Sequence, residues 1–157
     1  MKNELRSIID NIESVLHGHP WFGRNVTDLL GDINPRHAYS KPGNADHSAC
    51  DLLWHMISWA TFTANRIEGS TKKDVATDET LDWRKTSPKT YNWEKGLKEF
   101  TAIHKKIITR LRTKDDEWLE KTVAYREYNF RYLLHGLIQH NIYHIGQVAY
   151  LNKLLKD

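Results

Sequence analysis

Apolar side chains recur along this chain with the period of an α-helix, not that of a strand. Between residues 3 and 17 they fall at Leu5, Ile8, Ile9, Ile12, Val15 and Leu16, the i, i+3, i+4, i+7 spacing of an amphipathic helix. Gly18-His19-Pro20 interrupts the pattern, Val26, Leu29, Leu30 and Ile33 resume it, and Asn34-Pro35 ends it, because proline disfavours α geometry in the residue before it. Residues 35–47 read as a loop. A second helix is expected from Ser48, with Asp51 in the capping-box position. Its stripe is Leu52, Met56, Trp59, Thr63 and Ile67, and Gly69 stops it.

Residues 70–90 carry Ser, Thr, Lys, Asp and Pro88 with no sustained period. They read as a long connector, either a crossover along the bundle or a lid. A third helix over about 91–112 presents Trp93, Leu97, Phe100, His104, Ile108 and Leu111 on one side. An extended stretch from Thr122 to Tyr128 leads to a fourth helix from Asn129 to Leu155. Its stripe is Leu133, Leu134, Leu137, Asn141, His144, Val148, Leu151 and Leu155. No window alternates long enough for a sheet, so the expected fold is all-α, a four-helix bundle forming one domain over 1–157.

Composition narrows the function classes. The chain of 157 residues has a net charge of +3, with acidic and basic residues interleaved. Lys72-Lys73 and Lys105-Lys106 are too isolated to form the basic face of a nucleic-acid binder. No apolar run approaches the roughly 20 residues that span a bilayer, and the first residues show no secretory apolar region. Cys50 is the single cysteine, which excludes an internal disulfide or a CxxC knuckle. A cytoplasmic protein acting on a small molecule, without nucleic-acid or membrane partners, is the expectation.

The chemistry-bearing residues are histidines. His140 and His144 stand four apart on the fourth helix, which places their Cβ atoms roughly 6 Å apart on one face. His55 lies on the flank of the second helix's apolar stripe. Three imidazoles on facing helices can hold one metal ion and leave a coordination position open. An HxxxH pair also arises by chance, and an inward histidine is commonly a hydrogen-bonded core residue, so spacing alone leaves both readings open. His104, inward on the third helix, suits a fourth ligand, a proton shuttle or a satisfied core residue, and the last is the expectation. Asn141 and Gln147 can hydrogen-bond a ligand or support an imidazole from behind, though structural roles explain them as well. Asp51, one turn before His55, can orient that ring or simply cap its helix. His135 points outward, and His17, His19, His37 and His47 carry little signal. Asn141 follows His140 where a zincin would have glutamate, which argues against a protease of that type. Gly146 suggests close helix packing or room for a ligand. Trp54, Trp59, Trp21 and Trp83 suit core packing first, and a cleft wall or subunit interface second.

Three stretches together carry a resemblance: Pro20-Trp21-Phe22-Gly23, the second-helix run Leu52-Leu53-Trp54-His55-Met56-Ile57-Ser58-Trp59, and the fourth-helix run from Leu133 to Gln147 that contains HxxxH and the trailing Gly-Gln. With them the chain resembles the DinB-like superfamily of metalloenzymes. The resemblance implies a four-helix bundle whose topology differs from the common up-down form. It also implies a metal near one end, bound by His55, His140 and His144. Relatives include thiol S-transferases that use bacillithiol-type cofactors and a mycothiol-dependent maleylpyruvate isomerase, and they are often homodimers. A divalent metal, zinc first, with nickel, iron or copper also suited to imidazole, and a low-molecular-weight thiol are the expected cofactors. A metal-dependent hydrolase and a metal- or ligand-binding module without catalysis are the rival readings. Many similar sequences carry an acidic residue at Asn141 and histidine at Phe22. No catalytic residue is assigned by spacing.

Overall fold

The computed structural model describes residues 3–156, with the side chains of residues 74 and 75 outside the description. Among the described residues there are six α-helices, one 3-10 turn and no strand. The helices are α1 (Glu4–His17), α2 (Val26–Gly31), α3 (Ala49–Ile67), α4 (Lys72–Thr80), α5 (Trp93–Leu111) and α6 (Phe130–Leu154). The four long ones, α1, α3, α5 and α6, are the four the periodicity predicts. Each starts at a side chain that accepts a backbone N–H: Asn3 from Arg6, Ser48 from Asp51, Asn92 from Lys95 and Asn129 from Tyr132. At Ser48 the bond is reciprocal, since Asp51 accepts the Ser48 N–H. Each such cap satisfies a donor the helix cannot, an effect of about 1 kcal/mol.

α3 is the central element and packs against α4, α5 and α6. Leu53, Trp54, Ile57, Ala60, Phe62 and Ala64 are buried along with the expected stripe, whereas Trp59 is only half-buried. A helix surrounded on several sides needs apolar residues all round, so its stripe is a poor guide to its burial. Against it α5 comes unusually close at Gly96, where a Cβ would lie 2.7 Å from Leu53 Cδ2. Gly146, which the sequence reading gave a packing or ligand role, is instead exposed on α6 with no heavy atom within 4 Å of a Cβ position.

Two further readings are corrected. The connector contains a helix, α4, that shows no apolar stripe because polar contacts hold it. Asp78 accepts hydrogen bonds from Asn65 Nδ2 (3.1 Å) and from buried Arg66 Nη2 (3.2 Å), and Glu79 pairs with Arg126. The stretch 122–128 is not an extended strand. The chain reverses there, with Tyr125 at φ 64° and a single antiparallel bridge between Thr122 and Asn129. Among the described residues no helix is long and apolar enough to cross a membrane.

Candidate metal centre

Helix period and helix packing together bring the three histidines to one point. His55 enters from α3, and His140 and His144 from successive turns of α6. One potential ligand atom from each lies within 4.8 Å of the others. His55 Nε2 and His140 Nε2 are 3.0 Å apart. Two nitrogens each 2.0–2.1 Å from one tetrahedral zinc are separated by about 3.3 Å, so the spacing fits a shared ion.

The far side of each ring decides which nitrogen is free. His144 Nδ1–H donates to Gln147 Oε1 at 2.7 Å, which leaves Nε2 as the lone-pair atom. His55 Nδ1 lies 2.7 Å from Asp82 Oδ1. That N–H is not aimed squarely at the oxygen, so neither atom is fully satisfied, yet the carboxylate favours the proton on Nδ1 and the lone pair on Nε2. His140 Nδ1 is buried without a partner. All three rings are held neutral. Burial, aided by the repulsion a proton on His144 or His55 would exert, pushes His140 down to about 3. Burial lowers His55 and His144 as well, outweighing the opposing pull of Asp82 on both. Neutral imidazole is the form that binds metal.

Asp82 and Trp83 come from the connector, where sequence spacing gave no hint of Asp82. The Trp83 ring stacks on His55 with centroids 3.8 Å apart and on His47 at 3.9 Å. His47, whose loop position carries little signal in the sequence, thus reaches the site and adds to the depression of the His144 pKa. The segment is fastened down: Ser58 Oγ lies 2.8 Å from the Leu81 carbonyl, and Arg84 donates to that carbonyl (3.0 Å) and to Ser58 Oγ (2.7 Å). Asp51, by contrast, is spent on Ser48 and on Thr86 Oγ1 and does not orient His55.

The remaining candidates separate cleanly. His104 is not part of the cluster. Its Nδ1–H donates to the Phe100 carbonyl at 2.8 Å, and its Nε2 accepts from Asn141 Nδ2 at 3.0 Å. Asn141 therefore faces His104, with its Oδ1 left without a partner. Gln147 stands behind His144. Phe22 is 44 % exposed and Trp21 wholly so.

The match to a protein-family model decides the relationship, because it spans residues 21–148 and includes all three histidines. The chain belongs to the DinB superfamily. Its all-helical architecture agrees with that membership, and its three clustered histidines can hold a metal ion. Neither a curated protein nor a solved structure matched the chain.

Proposed function

We propose that this DinB-superfamily protein is a metal-dependent enzyme that binds one divalent ion, zinc, at His55, His140 and His144 and activates a low-molecular-weight thiol for transfer to a small electrophile. The observation that carries the reading is the donor set: three neutral imidazoles, with no carboxylate among them. Bound there, the ion would keep its full +2 charge and lower the pKa of a coordinating thiol or water. The protein's own work is to aim and shield. Asp82 and Gln147 hold Nδ1 of His55 and His144 and so turn Nε2 of each ring inward. Trp83, stacked on His55, keeps water from one side of that ring.

Thiol transfer is preferred to hydrolysis on the resemblance, whose relatives include thiol S-transferases, and Asp82, 2.7 Å from His55 Nδ1, serves to orient that ring. A homodimer completes the proposal, with a scattering mass of twice the 18.5 kDa chain as its check.

The test starts with metal analysis of protein purified without added metal or a histidine tag. About one equivalent per chain is expected. The loaded protein is then offered electrophiles with and without added thiol. Consumption that requires thiol supports the proposal. Thiol-independent hydrolysis would replace it with the hydrolase reading, and metal binding without turnover would leave a binding module.

A further inference from the structure

We propose that the cavity leading from His140 along α6 binds the apolar body of the substrate, a single aromatic ring or an aliphatic group of that size. The inference rests on the reading above for the reactive end of the substrate, but the cavity can be tested without it.

The cavity measures about 220 Å³, and His140 forms part of its lining. Trp59, Tyr128 and Tyr132 wall it, Leu133 and Leu137 lie along α6, Thr63 adds one hydroxyl, and among the described residues no Asp, Glu, Lys or Arg contributes. Trp59 also ties the cavity to the histidine cluster, its ring centroid 6.0 Å from that of His140. Pockets for drug-sized ligands measure about 300–1,000 Å³, so this space suits something smaller. Aromatic walls around a small, uncharged space select an apolar ring or chain, with the metal cluster at one end for its polar, reactive group.

A second observation concerns Gly136, which lines the same cavity one turn before His140. Glycine is the poorest helix former after proline, and this one lies inside a long helix. Its backbone needs no glycine, since it is not among the positive-φ residues. Packing needs none either, because a Cβ there would meet no heavy atom within 4 Å. What the missing side chain leaves behind is open cavity.

The probe is 4-fluorobenzyl alcohol, titrated into the full-length zinc-loaded protein and followed by ¹⁹F NMR. Saturable binding is expected, and Gly136→Leu, which fills the space, should weaken it by about tenfold or more while zinc content stays native. Gly136→Ala should raise the melting temperature and weaken binding less. Should Gly136→Leu fold poorly, Tyr132→Ala at the exposed rim is expected to cost about threefold. With cobalt in place of zinc, relaxation of the bound fluorine should quicken, which places the probe beside the cluster. Unchanged affinity in both Gly136→Leu and Tyr132→Ala, or no saturation in a protein that binds zinc normally, overturns the inference and leaves the metal reading intact. Probe binding that Gly136→Leu abolishes, in a protein that takes up no metal, keeps the cavity and overturns the metal reading instead. A dimer lost in Gly136→Leu, without probe binding by the native chain, assigns the space to a second copy and also overturns the inference.

Discussion

His104 and His140 are both inward-facing imidazoles with strongly lowered pKa values, about 4 and about 3. Their surroundings differ in one respect. Both nitrogens of His104 are occupied by protein, one by the Phe100 carbonyl and one by Asn141. His140 has one nitrogen without a partner, and its other faces the Nε2 of a second neutral ring. A buried imidazole is a structural residue where the fold supplies both its hydrogen bonds. It is a site where the fold withholds them and directs lone pairs to a common point.

The largest expected effects break this comparison in opposite directions. His140→Ala should take bound zinc from about one equivalent to a small fraction, because two imidazoles alone hold the ion weakly. Metal analysis reads the loss, and the melting temperature of the metal-free protein should change little. His104→Ala should leave zinc content native but destabilise the fold by about 3 kcal/mol, from the cavity and from Asn141 losing its acceptor. Urea denaturation measures it. Swapped outcomes would reverse the assignment of the two residues.

The pH dependence follows from the same burial. The folded pKa of His104 lies below its ordinary 6.5, at about 4. Between those values the unfolded chain binds a proton that the folded chain refuses, so stability falls as pH drops from 6.5 toward 4 and is level above. The loss is on the order of 2–3 kcal/mol. His55, His140 and His144 are also lowered in the metal-free protein, so the His104 share is the difference in slope between the native chain and His104→Gln. Equal slopes would show that His104 titrates like a solvated ring.

The connector sharpens the comparison with a smaller effect. Asp82→Ala removes the carboxylate behind His55, and such losses typically lower metal affinity by about 10–100-fold. Competition against a chelator measures the change, and Asp82→Asn, which can still accept a hydrogen bond through its amide oxygen, should recover part of it. Affinity equal to native in both variants would reduce Asp82 to a loop residue.

What could be read in advance tracks what is local. The four long helices were legible because amphipathic period and capping residues such as Ser48-Asp51 act within a few positions. The histidine cluster was legible because His140 and His144 share a helix face and His55 sits on a second helix beside its apolar stripe. Asp82 was not, because nothing in its neighbourhood marks it. Its place depends on Ser58 and Asn65-Arg66 of α3, which hold the polar connector from outside, and on Arg84 of the connector itself reaching back to Ser58. The same dependence hid α4, and it brought His47 to Trp83 from a loop that spacing had dismissed.

The smallest effect concerns two glycines that look alike in sequence, each inside a long helix. Gly96→Ala sets a Cβ 2.7 Å from Leu53 Cδ2 and 3.1 Å from Trp54 Nε1. Forcing α5 away from α3 should cost about 1–3 kcal/mol. Gly146→Ala adds a methyl group in open space on an exposed turn. It should therefore gain close to the full helix-propensity difference, about 0.5–1 kcal/mol, with zinc content unchanged. If Gly146→Ala destabilises instead, or lowers zinc content, then the outer face of α6 meets something beyond this chain. A partner copy covering that turn, checked by light scattering on the variant, becomes the physical reason for a glycine one position before Gln147.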